Sequence, residues 1–269
     1  MRVIQQDDIN ILKFSNLSIK GLDHFSTTIL GGASSDTYCS LNLGQYCGDN
    51  SEHVAENRAL LAIALNIKPE NIYVPYQTHE DGVCVIDQDF VNLSIEEKES
   101  RLNGIDAIIT NVKNICIGIA TADCVPIIIY DPRKEVLAAV HSGWKGTVVR
   151  IVQKTISEMT VRFGSFPTDL LVGIAPCISQ KYFEVGDEVV ESFKKAGFCI
   201  DTIGVRNSVS NKMHLDLTQA NKELLLECGI FAHNIEASGL CTYADSDQFF
   251  SARRQTIRSG RMLTGGILR

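Results

Sequence analysis

The chain has 269 residues, 45% of them hydrophobic and 21% charged, which is enough to bury a sizeable core and ordinary for a globular protein. A net charge of −7 excludes the global basic footprint of a nucleic-acid binder, and no window approaches the ~18 consecutive apolar residues of a membrane helix. Nine cysteines, scattered singly through apolar runs without a C-x-x-C pair, argue against a disulfide framework or zinc ribbon and for reduced thiols in a cytoplasm.

In chain order, Gln5, Gln6, Asp7 and Asp8 stand where a signal peptide needs its apolar stretch, so none is expected. SLNLGQYCGDNSEHVAENR (Ser40–Arg58) sets polar Asn42 between two leucines and Arg58 on the otherwise apolar helix ENRALLAIALNI (Glu56–Ile67). NIYVPYQTH and GVCVIDQD read as strands on either side of His79. NLSIEEKESRLN (Asn92–Asn103) is the most polar stretch and reads as a long surface connection. DAIIT, ICIGIA, VPIIIYD and VLAAVHS are short Val/Ile-rich runs that read as four more strands. TVVRIVQKTISEMTVRFG reads as one helix, with Val148, Ile151, Val152, Ile156 and Met159 on a single face and Gly164 at its end. DLLVGIAP reads as a strand stopped by Pro176, followed by helices VGDEVVESFKKAG and DLTQANKELLLECGI, the second with Asp216 as N-cap. No repeat and no domain linker appears. The prediction is a single domain over 1–269 of α/β (α+β) class, with helices covering a large mixed sheet, because consecutive strand pairs with short turns argue against a purely parallel one.

Three residues that end apolar runs carry the most chemistry: His79, Cys124 and His141. Two imidazoles and a thiolate are good zinc ligands, and three protein ligands leave a fourth position open, as catalytic sites do. They lie far apart in sequence, and the alternative is a buried structural Cys124 with two surface histidines. In HSGWKGT, Gly143 and Gly146 let the backbone approach a ligand and Lys145 adds positive charge, so the turn into the helix near Thr147 suits phosphate. The alternative is a tight turn with Trp144 packed on the core. Asn42 and Arg58 suit a sugar hydroxyl, base edge or phosphate, or else act as caps and ion-pair partners. DQFFSARRQ sets Arg253 and Arg254 beside Phe249 and Phe250, which suits phosphate plus a stacked base, or a solvated strand edge. His24, His53, His214 and His233 read as surface or capping residues. Cys39, Cys47, Cys84, Cys116, Cys199 and Cys228 read as thiols without function.

Read together, HFSTTILGGASS, SLNLGQYCGDN, ENRALL, QTHEDGV, DAIIT, TADCVPIIIYD, AAVHSGWKGT, VGIAPCISQKYFEVGDEV, LDLTQANKELLLECGI, CTY, FFSARRQ and TGG stand in an order that resembles the YfiH family over nearly the whole chain. This is also called the laccase-domain or multicopper polyphenol oxidoreductase family. ADC together with HSGWKGT is the most specific part. The resemblance implies one domain of mixed β-sheets flanked by helices, related in fold to cysteine deamidase toxins. It implies a zinc-dependent purine nucleoside phosphorylase that cleaves adenosine, inosine, guanosine or S-methyl-5'-thioadenosine with phosphate to the free base and (methylthio)ribose 1-phosphate, with adenosine deaminase activity beside it. The family's metal triad maps onto His79 of QTH, Cys124 of ADC and His141 of HSGW. Asp123 matches the acidic residue beside that cysteine and would shuttle a proton or orient a ligand. Asn42, Arg58 and Arg253 match positions of the nucleoside and phosphate pocket. Three positions depart from the family pattern: Thr28 replaces an arginine, Ala252 an aromatic or histidine, and Glu80 a glycine. The first two weaken the mapping of phosphate contacts; none touches the triad.

Three rival readings remain. In a cysteine-dependent amide hydrolase, Cys124 would be the nucleophile and His141 its base, consistent with the peptidoglycan-precursor editing linked to the family. A copper polyphenol oxidase needs a mononuclear copper and a trinuclear cluster fed by His-x-His pairs, and six histidines without one such pair argue against it. A zinc-stabilised binding domain needs a fourth ligand, for which Cys241 of CTY is the candidate. The leading reading predicts purine nucleosides and phosphate as partners, with no nucleic acid or membrane, in a monomer or weak homodimer.

Overall fold

The computed structural model describes residues 1–6 and 9–269; Asp7 and Asp8, part of the stretch read above as lacking a signal peptide, lie outside the described residues. The apolar runs pair into two six-stranded sheets. The first runs in the order Arg2–Gln6, Ile9–Lys13, Leu22–Thr27, Met262–Leu268, Cys116–Thr121, Ile72–Tyr73. The second runs Ile235–Ala237, Leu171–Ile174, Val125–Asp131, Val136–Ser142, Ala107–Thr110, Val83–Ile86. A small third sheet joins Glu184–Val185, Met213–Leu215 and Gly204–Arg206. Both large sheets are mixed: Ile72–Tyr73 runs parallel to Cys116–Thr121, and Val83–Ile86 parallel to Ala107–Thr110, while the Val125–Asp131 and Val136–Ser142 strands form an antiparallel pair. The single large sheet expected from the strand count is thus two.

The division follows from the side chains. Along the second sheet Ile127, Ile129, Ala138 and Val140 point into one hydrophobic cluster, and Ile128, Tyr130, Leu137 and Ala139 into another. The second cluster also takes Ile117, Ile119 and Leu268 from the first sheet, so the two sheets pack face to face. The outer face of the second sheet is covered by the helices Ile151–Phe163, Asp187–Lys195 and Leu217–Glu227 through Ile151, Ile156, Val190, Phe193, Leu224 and Leu225. The outer face of the first is covered by the helix Ser51–Ala64 through Leu61 and Ala62. Strands buried on both faces read as unbroken apolar runs. Each fully buried Ile, Val or Leu contributes ~1.5–3 kcal/mol by leaving water. A one-residue slip would exchange the two faces of every strand, so burial fixes the register.

Three readings are corrected. The polar stretch Asn92–Asn103 contains the helix Ile95–Leu102, with Ser94 and Glu97 forming a reciprocal capping box. Its Ser-x-x-Glu signature satisfies the first amides and outweighs the low hydrophobicity. The long helix after His141 is two, Trp144–Val148 and Ile151–Phe163. Arg150 breaks it at φ 60°, held there by bonds to Glu227 at 2.6 Å and the Ala196 carbonyl at 3.0 Å. Gly164, at φ 69°, ends the second helix as expected. His24 is buried rather than superficial: its Nε2 accepts the Phe14 amide at 2.7 Å, and burial, with Lys13 nearby, lowers its pKa to about 4. The Asp216 cap is observed, with its carboxylate accepting the Gln219 amide. All nine cysteines are free thiols.

Candidate metal centre and cleft

Cys124 precedes the Val125–Asp131 strand and His141 is the penultimate residue of Val136–Ser142; the pairing sets Pro126 opposite His141 and Val125 opposite Ser142. That register brings the thiol and the imidazole together at one end of the two central strands of the sheet. His79 arrives from the loop after Ile72–Tyr73. One ligand atom from each of the three residues lies within 4.8 Å of the other two. The His79 and His141 rings meet edge to face at 4.7 Å. Gly143 is required here: a Cβ on it would lie 2.9 Å from Cys124 Sγ and 3.4 Å from His79 Cδ2.

A buried carboxylate that sequence reasoning did not single out organises this corner. Asp106 accepts from His141 Nδ1 at 2.6 Å and from the successive amides of Thr78, His79 and Glu80 at 3.1, 3.0 and 2.9 Å. Its carbonyl accepts the His141 amide at 2.8 Å. One residue therefore positions both histidines, and its cradle of amides holds His79 at φ 64°, a conformation that costs ~1–3 kcal/mol in a non-glycine residue. With Nδ1 bonded to Asp106, His141 has Nε2 left for Cys124 or a metal. Burial pushes the Asp106 carboxyl up, but the bond from His141, its charge and the Glu80 and Thr78 amides outweigh it and hold the group below its usual range. Burial likewise pushes the Cys124 thiol up; the His141 charge and hydrogen bonds from His141 and His79 prevail and lower it to about 6. Burial would lower His141, but the Cys124 charge and the Asp106 bond raise it to about 9. Without a metal, these opposite shifts favour a thiolate–imidazolium pair in the corner. The donor set fits a metal: a thiolate, an imidazole whose orientation is fixed by a carboxylate, and a second imidazole, the outer-shell pattern that metal-binding histidines show.

The triad lies in a cleft of about 550 Å³, a volume typical of small-molecule sites. Its lining includes Asp123, Arg253, Arg261, Tyr46, Tyr76, Gln77 and Phe183. Of the expected substrate residues, Arg253 lines the cleft: its guanidinium sits 5.3 Å from the Phe183 ring and donates to the Glu184 carbonyl at 3.0 Å. The other three lie outside the lining. Asn42 is fully buried beneath it, accepting the Gly44 and Arg261 amides and donating to Asp49. Arg58 donates to the Ile72 carbonyl and to Gln45, itself a lining residue. Lys145 is exposed over the Trp144 ring at 5.8 Å, so the SGWKGT turn that follows His141 backs the triad instead of lining the cleft. Trp144 packs on the core beneath the outer helices. Cys241 stands apart from the triad, accepting from Ser179 N and Oγ at 3.3 and 3.1 Å. Thr28 is buried and bonded to the Asn10 carbonyl, Ala252 lines the cleft, and Glu80 lends its amide to Asp106.

Asp123 lines the cleft at φ 90° with both carboxylate oxygens engaged. Oδ1 accepts Thr242 Oγ1 at 2.6 Å; Oδ2 accepts Ser251 Oγ at 3.0 Å and the Arg253 amide at 2.7 Å. It anchors the short helix Ala252–Gln255, and with it Arg253. Arg261, also unsingled by the sequence, spends its guanidinium on the Ile257, Ser259 and Gly260 carbonyls and the Ser259 hydroxyl, with no carboxylate partner among the described residues. Its stem packs where Gly44 has no Cβ: one there would lie 2.6 Å from Arg261 Cγ.

Two packed mixed sheets with a His-Cys-His corner in a small-molecule cleft define a candidate metalloenzyme scaffold. The model of the family described as multi-copper polyphenol oxidoreductase laccase matches residues 23–269, and the chain belongs to that family. It is 40% identical over 259 residues, 96% of this chain and 96% of the other, to a purine nucleoside phosphorylase of Bacteroides thetaiotaomicron. It is 42% identical over 248 residues, 92% of this chain and 94% of the other, to adenosine deaminase RL5 from an unknown prokaryotic organism. The crystal structure of YlmD from Geobacillus stearothermophilus matches with a TM-score of 0.90 at 28% identity, covering 99% of this chain and 98% of that one. The resemblance read from ADC, HSGWKGT and the accompanying motifs is thereby borne out.

Proposed function

We propose that the protein is a zinc-dependent purine nucleoside phosphorylase acting on adenosine, inosine, guanosine or S-methyl-5'-thioadenosine, with adenosine deamination as a second activity. The observation that carries this reading is the His79–Cys124–His141 corner inside the cleft of a chain 40% identical to a named purine nucleoside phosphorylase. In the reaction a phosphate oxygen bonds to C1′ of the ribose, the glycosidic C–N bond breaks, and its electron pair leaves with the purine, which takes up a proton. The transition state is cationic at the sugar, so holding phosphate close and aligned is the main task. Arg253 and Arg261 suit that role: both line the cleft and neither is neutralised by a carboxylate among the described residues. Asp123 acts as a positioning residue that sets Arg253, in place of the proton shuttle considered from sequence. Zinc bound at the triad would supply a Lewis acid. His79, Cys124 and His141 would hold it, with Asp106 orienting His141. Asn42 and Arg58 support the loop bearing Gln45 and Cys47 from beneath.

Chromatography of adenosine and inosine incubated with zinc-loaded protein, with and without phosphate, tests the reading. Free purine and ribose 1-phosphate should form only with phosphate, and Cys124→Ala should form neither. Inosine produced from adenosine without phosphate marks the deaminase branch. No turnover of either nucleoside by protein shown to hold its zinc overturns the proposal.

One observation favours a second reading. Cys124, His141 and Asp106 are connected as nucleophile, base and orienting carboxylate, the arrangement of a cysteine hydrolase. That enzyme, an amidase acting on a peptidoglycan precursor, would work after metal removal; the phosphorylase would not. Copper polyphenol oxidation has less support: among the described residues there is one three-donor group, and a multicopper centre needs more. A single folding unit over 1–269, a monomer or weak homodimer and a cytoplasmic location complete the reading, supported by the shared inter-sheet core and by nine free thiols. Among the described residues no helix is long and apolar enough to cross a membrane.

A further inference from the structure

Tyr46 and Tyr76 line the cleft from two different loops, and their rings meet edge to face, with centroids 4.7 Å apart and planes at 85°. They are 55% and 43% exposed, and neither belongs to a hydrophobic cluster. Among the described residues neither hydroxyl has a hydrogen-bond partner. The fold thus leaves two large rings in water, although it buries Leu41, Leu43, Ile72 and Tyr73 of the same segments. Their backbones are tied down. The Tyr76 amide donates to the Leu102 carbonyl and its carbonyl accepts the Gly104 amide, while the Gln77 side chain bonds both the amide and the carbonyl of Ala120. The loop of Tyr46 is held by Asn42 through Gly44 and Cys47, and by Arg58 through Gln45. Rigid backbones that present open rings into a cleft form a preorganised surface for a flat ligand. In an edge-to-face pair, the ring that presents its edge keeps both faces clear of its neighbour, and a heteroaromatic base stacks on such a face. Tyr76 is three residues before His79, so their Cα atoms are at most ~11 Å apart and ring and metal corner belong to one wall.

From this geometry we infer that Tyr46 and Tyr76 form the stacking platform for the base of the bound nucleoside and set the preference for a two-ring purine over a one-ring pyrimidine. The inference rests on the nucleoside reading above and assigns the part of the cleft that takes the base. The larger purine overlaps more of an aromatic face, so the platform discriminates by ring area and tolerates adenine, hypoxanthine and guanine alike.

Two readouts on the full-length, zinc-loaded protein test this: steady-state phosphorolysis of inosine, and calorimetric binding of inosine and uridine without phosphate. Tyr76→Ala should raise both the KM and the Kd for inosine about tenfold, with kcat and the KM for phosphate within about twofold of the parent. Tyr76→Phe, which keeps the ring, should restore most of the loss, and Tyr46→Ala should show a weaker form of the same defect. Inosine should bind more tightly than uridine, and the gap should narrow in Tyr76→Ala. Unchanged KM and Kd in both alanine variants overturn the platform, as does a loss confined to kcat. If the parent turns over no nucleoside, the phosphorylase reading falls, and calorimetry still decides: inosine binding weakened by Tyr76→Ala sustains the platform, and absence of binding overturns it.

Discussion

Asp106 and Asp123 are both buried carboxylates at the cleft, and both accept bonds from successive or neighbouring groups, yet they organise different things. Asp106 binds one imidazole directly and the other through its backbone, so it shapes the metal corner. Asp123 is next to Cys124 in sequence but bonds Thr242, Ser251 and Arg253, so it shapes the wall of the cleft that carries Arg253. The lesson is that adjacency along the chain misassigns the second ligand sphere. Asp123 lies in a bend before the strand, at φ 90°, and its carboxylate is turned onto Thr242, Ser251 and Arg253 instead of the triad. The supporting group comes instead from the strand that pairs alongside: Ala107 lies opposite Val140 in the ladder, which brings Asp106 beside His141.

Substitutions at the two carboxylates should separate these roles. Asp106→Asn should lower zinc affinity and turnover together by about 10–100-fold, as loss of a histidine's outer-shell partner does. Zinc content by mass spectrometry and kcat/KM for inosine measure this, and unaltered zinc affinity would remove Asp106 from the metal corner. Asp123→Ala should retain zinc, raise the KM for phosphate about tenfold and destabilise the fold by ~2 kcal/mol, since it strands two hydroxyls and an amide. Loss of zinc from that variant would break the contrast.

The smallest effect is a shift of pH midpoint, confined to the metal corner. Cys124 is depressed from 9.0 to about 6, so its contribution to stability is present above 9.0 and lost as pH falls through about 6. His141 is raised from 6.5 to about 9, so its contribution is present below 6.5 and lost as pH rises through about 9. Both describe one ion pair, present between about pH 6 and 9 in metal-free protein. Alkylation of Cys124 in chelator-treated protein, followed by peptide mass spectrometry, should therefore show its midpoint near pH 6. A midpoint near the ordinary thiol value of ~8.5 would contradict the pairing, and bound zinc should suppress the reaction throughout.

Most strands were legible because burial on both faces leaves runs such as VPIIIYD and VLAAVHS nearly free of polar residues. The triad was legible because His79, Cys124 and His141 interrupt those runs at their ends, and the family motifs then grouped them. Asp106 stands at the head of DAIIT in the same way, and the same criterion would have found it. Tyr46, Tyr76 and Arg261 offered no such interruption: an aromatic or arginine in a loop looks the same in sequence whether it faces a cleft or bulk water.

The sequence by itself determined the apolar periodicity, the residue types able to bind a metal, the helix cap at Asp216, and the family. Those are local properties, carried by a residue and its near neighbours. Only the tertiary structure decided that the strands divide into two packed sheets, that the turn after His141 faces away from the cleft, and that Asn42 and Arg58 brace the site from below. Which groups meet depends on register and on packing between segments far apart in the chain, and no local pattern encodes those distances.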